Sequence, residues 1–217
     1  ASDVYKRQVM EVEAQIEYIY ADGWQNIKGK NYYFEDSNAV TGWKNIDGVQ
    51  YYFNEDGSLG SSLVIDVSRY NGSIDWDSVK ASGINYAMIR VGYRAQKTGV
   101  IYADTNAKYN MQQAAANGIK VGAYFFSSAV NEAEAIEEAD WVADFISDYS
   151  ITYPVAFDCE GFNTSESRQK SMTKAERTAV ATAFLQEVYD KGYTPMFYAA
   201  SSELTNNSQW NLSLIHI

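Results

Sequence analysis

From Leu63 onward, short apolar runs alternate with longer segments that have helix-like starts and ends. The runs span residues 63–68, 84–93, 119–126, 153–160 and 193–200, and the longer segments span 73–83, 105–118, 131–149 and 173–192. This alternation predicts five strands and four helices in an α/β fold, with a parallel sheet covered by helices. A doubly wound sheet and a β/α barrel both fit this order. No glycine-rich phosphate loop follows the first strand, which weakens a nucleotide-binding interpretation.

The N-terminal part of the chain repeats an aromatic pattern with a period of 19 residues. Segments 23–34 and 42–53 both begin with Gly-Trp, continue with Asn-Ile and end with Tyr-Tyr-Phe. Gly29 and Gly48 stand where a tight turn joins two short strands, so each unit is predicted to be a β-hairpin. We assign residues 9–57 to this small module and leave open whether 9–20 is a degraded earlier repeat. Residues 58–62 are predicted to be a Gly/Ser linker.

These hairpins resemble the cell-wall-binding repeats of choline-binding and glucan-binding proteins. In that family, aromatic side chains form cages for choline or sugar through cation–π and stacking contacts. The positions that match are Trp24, Tyr33, Trp43 and Tyr52. The resemblance implies choline, teichoic acid or glucan as a partner. The alternative is that these aromatic side chains only hold neighbouring hairpins together.

Composition narrows the classes of function. A net charge of −11 argues against nucleic acid as a partner, because phosphate binding needs clustered Lys and Arg. No apolar run approaches the roughly 20 residues that span a bilayer. The single cysteine excludes an internal disulfide framework, and the single histidine leaves little for a zinc site. We see no cofactor or metal motif.

Carboxylates cluster where the predicted strands end, which is where parallel α/β folds place their sites. Asp66 ends the first strand, and Asp158 and Glu160 end the fourth. Residues i and i+2 on a strand share a face, with α-carbons roughly 6.6 Å apart. Two carboxylates so close raise at least one pKa and provide a proton donor beside an ionised partner, as glycoside hydrolysis requires. Cys159, on the opposite face, is predicted to be a buried structural thiol.

Each carboxylate also has a structural interpretation, because an acidic residue at a strand end often caps a helix or anchors a loop. Other acidic residues are predicted to have structural roles only. Asp75, Asp77 and Glu132 are interpreted as helix-start residues. Three glutamates, Glu134, Glu137 and Glu138, are predicted to form the solvated face of the third helix.

Several motifs, in order over residues 63–200, resemble those of family 25 glycoside hydrolases. Residues 64–76 (VIDVSRYNGSIDW) resemble the opening motif DVSxxxGxIDW, and 87–94 (AMIRVGYR) the second strand. Asp104 and segment 118–124 continue the match, and Asp158-Cys159-Glu160 occupies the place of an Asp-x-Glu signature. The resemblance implies a modified β/α barrel with five α/β units followed by extra strands. It also implies lysozyme activity, which cleaves peptidoglycan between N-acetylmuramic acid and N-acetylglucosamine.

By resemblance, Glu160 protonates the leaving glycosidic oxygen. Asp158 steers or stabilises the 2-acetamido group of the substrate, or supports charge in an oxocarbenium-like transition state, and Asp66 lines the same pocket. Tyr93, Tyr124 and Tyr198 either line the sugar cleft or have a structural role. Assistance by the substrate acetamido group is the mechanism that we favour, and hydrolysis of this kind needs no cofactor. Retention or inversion stays open, because α-carbon spacing does not fix the distance between carboxyl groups.

The two ends of the chain have an unusual relation. Residues 3–8 (DVYKRQ) can be encoded by GATGTGTATAAGAGACAG, whose reverse complement translates as LSLIHI, residues 212–217. We therefore interpret 1–8 and 212–217 as adapter-derived and exclude them from fold reasoning. The expected catalytic segment, 63–211, is then incomplete, with about five of eight barrel strands and no late acidic residue. We expect the 217-residue polypeptide to be poorly stable and weakly active or inactive.

Two other functions remain open. One is a chitinase-like glycosidase with a similar Asp-x-Glu device, which would release reducing ends from chitin and not from peptidoglycan. The other is a non-catalytic wall-binding protein, which would bind walls without hydrolysing them. The occurrence of Asp66, Asp158 and Glu160 together favours an enzyme, which we expect to be extracellular or associated with the cell wall.

Overall fold

The computed structural model describes residues 20–47, 49–61, 63–204 and 209–215. Within the chain, residues 1–61 and 62–217 form two compact units. The first unit contains the aromatic repeats, and the second contains the α/β fold. Of the terminal segments interpreted as adapter-derived, 1–8 and 216–217 lie outside the described residues, as do residues 9–19 of the earlier repeat considered at 9–20.

The first unit consists of two β-hairpins and a short additional strand. Strands β1 (Gly23–Ile27) and β2 (Lys30–Glu35) pair antiparallel, and so do β4 (Gly42–Ile46) and β5 (Val49–Phe53), while β3 (Asn38–Ala39) pairs with β2. The hairpins predicted from the 19-residue repeat are therefore present. Lys28 and Gly29 both have positive φ, 52° and 81°, as a two-residue hairpin turn requires. The turn position predicted at Gly48 lies outside the described residues.

Aromatic contacts join the two hairpins. The Trp24 ring lies 5.3 Å from Tyr33, its cross-strand partner, and 5.0 Å from Tyr51 of the second hairpin. Residues Phe34, Ile46 and Phe53 are buried and form the small core of the unit. Ser58 and Leu59, within the segment predicted to be a linker, form β-bridges to the repeat strands. The Gly/Ser segment is thus partly paired with the hairpins.

The second unit is built on a mostly parallel sheet with five parallel strands. They are β6 (Val64–Val67), β7 (Tyr86–Arg94), β9 (Lys120–Phe126), β10 (Val155–Asp158) and β11 (Pro195–Tyr198), hydrogen-bonded in that order. The order follows the chain and never reverses, unlike that of a doubly wound sheet. A short strand that the sequence analysis missed, β8 (Ile101–Ala103), pairs antiparallel with β7. Over the described residues the sheet is open and forms no closed barrel.

Four helices lie between the parallel strands, as predicted, and a fifth short one follows them. They are α1 (Trp76–Ala81), α2 (Ala107–Ala116), α3 (Glu132–Ile146), α4 (Lys174–Asp190) and α5 (Ser201–Leu204). Asp75 caps α1 through a hydrogen bond from the backbone N–H of Ser78, so its predicted helix-start role is confirmed. Thr173 and Glu176 form a reciprocal capping box at the start of α4.

The two faces of the sheet have different chemistry. On one face, apolar side chains pack against the helices in a continuous core that includes Ile89, Val121, Phe125 and Phe157. The alternate residues of the same strands project to the other face, because side chains alternate along a strand. Those residues include Arg90, Tyr124 and Asp158, which puts a charged and polar lining on the face without helices.

The prediction of a solvated glutamate face on α3 is wrong for Glu138. This residue is fully buried, and its carboxylate accepts hydrogen bonds from Arg94 Nε at 2.6 Å and from Ser127 Oγ at 2.6 Å. Burial raises the pKa of Glu138 to about 7, although Ser127 and Arg94 act in the opposite direction. Glu134 is half-buried and pairs with Arg168, whereas Glu137 remains exposed and pairs with Arg94. The sequence analysis missed this burial because Arg94 lies 44 residues earlier in the chain.

Replacing Glu138 by Ala is expected to lower the free energy of unfolding by about 3–5 kcal/mol, because it leaves the buried Arg94 without its buried partner. Urea denaturation at pH 8 measures the effect. Glu137→Ala is the matched control: it removes an exposed carboxylate from the same arginine and should cost less than about 1 kcal/mol. Equal losses in the two variants would contradict the importance of burial at Glu138.

Candidate active site

The carboxylates singled out in the sequence meet at the C-terminal ends of the parallel strands. Asp66 lies on β6, and Asp158 is the last residue of β10. Because β10 ends there, Glu160 lies two residues beyond the strand, and the prediction that both residues belong to the strand is wrong for Glu160. Strand pairing places Asp158 beside Phe126 of β9 and Tyr198 of β11.

Asp158 has the most perturbed carboxyl group of the site. Its side chain is buried, and its Oδ1 atom has no hydrogen-bond partner among the described residues. Burial raises the pKa of Asp158 to about 8, with further increases from the charges of Glu160 and Asp66. The Arg90 guanidinium acts in the opposite direction. At neutral pH this carboxyl group therefore holds a proton, while the half-buried Glu160 lies beside it.

Two of the three tyrosines predicted to line the site contact the carboxylates. The Tyr124 phenol hydrogen-bonds with Asp66, and burial followed by the Asp66 charge raises the pKa of Tyr124. The Tyr198 phenol hydrogen-bonds with Glu160, whose charge raises the pKa of Tyr198. Tyr93 lines a cavity beside the carboxylates, where its ring stacks on Tyr102 at 5.6 Å and its hydroxyl accepts a hydrogen bond from Arg69.

Sequence reasoning missed two charged residues near these carboxylates. Arg90 is buried, and its Nε donates to Asp104 Oδ2 at 2.9 Å. The alternation of side chains along β7 could have predicted this position, because it places Arg90 on the same face of the sheet as Asp158. Glu203, on the short helix α5, interacts with the backbone N–H of Gly161, next to Glu160. Burial and the Glu160 charge raise the pKa of Glu203, and no strand-end pattern marks this residue.

Cys159 is the buried structural thiol that its position predicts. It is fully buried within the core between the sheet and the helices. Its Sγ atom contacts Gln169, with the side-chain oxygen at 3.7 Å. Burial raises the pKa of the thiol, which disfavours the reactive thiolate at neutral pH. The thiol therefore belongs to the core that packs beneath the Asp-x-Glu segment.

Two cavities in the second unit differ in their relation to the carboxylates. One, of about 840 Å³, is lined by the end of α4 and the N-terminal end of β11, including Gly192 and Pro195. It lies at the opposite end of the strand from Tyr198 and hence away from the carboxylates. The other, of about 490 Å³, is lined by Arg90 and Phe126 at the carboxylate end. Only the second adjoins the candidate active site.

Comparison with known families identifies the family of the second unit. Residues 65–214 match the family described as Glycosyl hydrolases family 25, which covers more than half of the chain. The chain belongs to glycosyl hydrolase family 25. The curated relative Lysozyme M1 of Streptomyces globisporus is 37% identical over 79 residues, which are 36% of this chain and 25% of that protein. The match with this relative therefore covers about a quarter of the relative's length.

Solved structures share the fold of the family 25 unit at low sequence identity. The modular autolysin LytC from Streptococcus pneumoniae has a TM-score of 0.60 at 22% identity, covering 85% of this chain and 45% of that one. A bacterial lysozyme from Streptomyces coelicolor has a TM-score of 0.52 at 24% identity, covering 69% and 67%. LytC has also been solved in complex with a synthetic peptidoglycan ligand.

The repeats of this family 25 chain match a family as well. Residues 22–38 and 41–59 match the description Putative cell wall binding repeat. Both segments coincide with the hairpin units, and the second includes Ser58 and Leu59. Among the described residues, no helix is long and apolar enough to cross a membrane.

Proposed function

We propose that this chain is the core of a lysozyme-type peptidoglycan hydrolase that cleaves the bond between N-acetylmuramic acid and N-acetylglucosamine. The observation that carries the proposal is the pair Asp158 and Glu160 at the strand ends, in a chain of family 25, with the pKa of Asp158 raised to about 8 by burial. Glycoside hydrolysis needs this combination of a protonated and an ionised carboxyl group. The sequential order of the parallel strands supports the finer proposal that the sheet is part of a β/α barrel.

In the proposed mechanism, substrate binding moves the proton within the pair. A hydrogen bond from the acetamido N–H of the substrate to Asp158 favours the ionised form of that carboxyl group. The proton is then available on Glu160, the less buried of the two.

Bond cleavage then follows with the atoms balanced. Glu160 transfers its proton to the glycosidic oxygen as the bond from that oxygen to the anomeric carbon breaks. The acetamido oxygen bonds to the anomeric carbon, and ionised Asp158 stabilises the positive charge that develops on the acetamido nitrogen. Water then attacks the anomeric carbon, opens this ring and returns a proton to Glu160, which acts as general base. Tyr198 orients Glu160, and Tyr124 orients Asp66.

Product analysis on two polymers tests this function against the chitinase-like alternative. Prolonged digestion at high protein concentration should release reducing ends from purified peptidoglycan and not from chitin. Release from chitin alone would favour the alternative. Wall binding without release from either polymer would favour the non-catalytic wall-binding function.

We further propose that the repeats bind a wall polymer component such as choline, teichoic acid or glucan. The Trp43 side chain is 72% exposed, and its ring lies edge-on to Tyr52 at 5.3 Å, which leaves a ring face open to a ligand. Trp24, by contrast, packs on Tyr51 and Phe53 and therefore has a structural role, although part of its side chain is exposed. Such repeats, together with a wall-degrading unit, support an extracellular or wall-associated location.

Trp43→Ala is expected to weaken binding to purified walls by about tenfold, because one aromatic contact with a cation is worth about 1–2 kcal/mol. The melting temperature should stay the same, since most of the ring is exposed. Co-sedimentation with walls measures the effect. Tyr189→Ala, which removes an exposed aromatic ring from α4, is the matched control and should bind normally. Unchanged binding by the Trp43 variant would contradict a ligand-binding role.

A further inference from the structure

The cavity of about 490 Å³ beside the candidate active site has a lining whose charge differs from that of the chain as a whole. The chain carries a net charge of −11, yet four cationic side chains and one carboxylate line this cavity. The cations are Arg69, Arg90, Arg94 and Lys97, and the carboxylate is Glu166. A basic cavity in an acidic protein indicates local recognition of an anion.

Three of the four cations already have carboxylate partners. Arg90 pairs with Asp104, Arg94 with Glu137 and Glu138, and Lys97 with Glu166. Arg69 differs. Within the described part of the chain, its guanidinium group has no carboxylate partner and donates only to the hydroxyl groups of Tyr93 and Tyr70, each at 3.2 Å. Its charge is therefore available to a ligand.

The tyrosines hold this guanidinium group in a defined position. The Arg69 Cζ atom lies 5.0 Å from the ring centroid of Tyr70 and 5.1 Å from that of Tyr93, and Arg90 lies over the same two rings. Contact with aromatic rings pre-organises an arginine, and its guanidinium group has further N–H donors beyond the two that bond the tyrosine hydroxyls. The Tyr70 ring is 76% exposed, so the stack opens to solvent.

The cavity lies within reach of a glycan in the active site. Phe126 lines it and pairs with Asp158 on the adjacent strand, and neighbouring strands are about 4.8 Å apart. Arg90 also lines it and influences the pKa of Asp158 electrostatically. A sugar bound at the carboxylate pair would therefore lie beside this cavity.

We propose that the cavity around Arg69 is a subsite for a carboxylate carried by the glycan, on the lactyl group of muramic acid or on its peptide. The proposal rests on the proposed function and adds a basis for substrate choice. Chitin has the same acetamido groups but no carboxylate. Arg69 would thus favour acidic glycans over neutral ones, with the guanidinium group binding the carboxylate through paired hydrogen bonds.

Calorimetric binding in the Glu160→Gln background, which keeps ligands intact, tests the subsite. The ligands are a peptide-free GlcNAc–MurNAc tetrasaccharide, its lactyl methylamide, the same tetrasaccharide with stem peptides, and chitotetraose. Arg69→Gln is expected to weaken binding of the free-carboxylate tetrasaccharide about tenfold, a typical loss for a charge-assisted hydrogen bond. Binding of the methylamide and of chitotetraose should stay within about twofold, because those ligands bring no carboxylate to the subsite.

The stem-peptide ligand distinguishes the two sources of the carboxylate. An Arg69 effect on the peptide-free ligand identifies the lactyl group, and an effect confined to the stem-peptide ligand identifies the peptide; both support the subsite. Lys97→Gln is the matched control, because it removes a cavity cation that is already paired with Glu166. Arg69→Lys should restore part of the preference. Both Arg69 variants keep the backbone hydrogen bond from residue 69 to Asp104 Oδ2, which is 3.0 Å long.

Equal weakening of acidic and neutral ligands by Arg69→Gln would overturn the proposal, since it would indicate a structural role. Competition by inorganic phosphate with no preference among the glycans would also overturn it, in favour of a phosphate site. If Arg69→Gln does not fold, equal affinity of the parent chain for the acidic tetrasaccharide, its methylamide and the stem-peptide ligand overturns the proposal without it. Arg69-dependent binding without cleavage would support the subsite and refute the hydrolase function. Cleavage without a preference that depends on Arg69 would support the hydrolase function and refute the subsite.

Discussion

Glu160→Gln is expected to lower the rate of peptidoglycan hydrolysis by about 10²–10⁴-fold, the range typical of a positioned general acid. The amide has nearly the shape of the carboxyl group but cannot deliver a proton to the glycosidic oxygen. Affinity for glycan fragments should change little, because the substitution leaves the rest of the site in place. Release of reducing ends and calorimetric binding measure the two effects separately.

Glu132→Gln is the control for this variant. Glu132 is exposed at the start of α3, outside the carboxylate site and the neighbouring cavity, and it should be dispensable for hydrolysis. Normal hydrolysis by Glu160→Gln would refute the assignment of the acid. Equal loss in the two variants would mean that the loss is not specific to the proton of Glu160.

Asp158→Asn is expected to reduce hydrolysis on the order of 100-fold and, at alkaline pH, to make the protein more stable. The first effect arises because an amide cannot carry the negative charge that stabilises the acetamido group. The second follows from the pKa of Asp158, which is about 8 in the folded chain and about 4 for an unfolded aspartate. Loss of activity with a gain in stability is a combination that few structural defects produce.

The sign of the stability effect is determined by linkage between folding and proton binding. Between pH 4 and pH 8 the folded chain binds a proton at Asp158 that the unfolded chain does not bind, so stability falls as pH rises. This contribution is fully present below about pH 4 and is lost as pH rises through about 8. Asparagine cannot ionise, so the variant lacks this contribution to the pH dependence of stability.

Urea denaturation at pH 4, 7 and 9 measures the slope. We expect similar stability of the parent chain and Asp158→Asn at pH 4, and an advantage of a few kcal/mol for the variant at pH 9. Glu138, with its pKa of about 7, contributes a similar slope to both proteins and cancels in the comparison. A difference that does not depend on pH would contradict the raised pKa of Asp158.

Much of the fold follows from local patterns in the sequence. The five parallel strands and four helices lie within the predicted segments, apart from Arg94 at the end of β7, because apolar runs and helix caps are local signals. Thr173 with Glu176, for example, marks the start of α4 within four residues. The hairpins are equally local, since Gly29 supplies the positive φ that their turn needs. Strand β8 was missed because three residues carry too little pattern to be recognised.

The site was only partly predictable, because its geometry depends on contacts between distant residues. The carboxylates Asp66 and Asp158 were found because strand ends are recognisable in the sequence. The end of β10 at Asp158, however, is set by pairing with β9 and β11 and not by the sequence around Glu160. The position of Tyr93 in the basic cavity depends on Arg69, which stands 24 residues earlier.

The central claim, cleavage after N-acetylmuramic acid, is tested most directly by identifying the new reducing end. Purified peptidoglycan is digested with the chain, reduced with borohydride, hydrolysed and examined by mass spectrometry. We predict that reduced muramic acid accumulates, and that it is absent after digestion with Glu160→Gln. Accumulation of reduced glucosamine in its place would contradict the assignment.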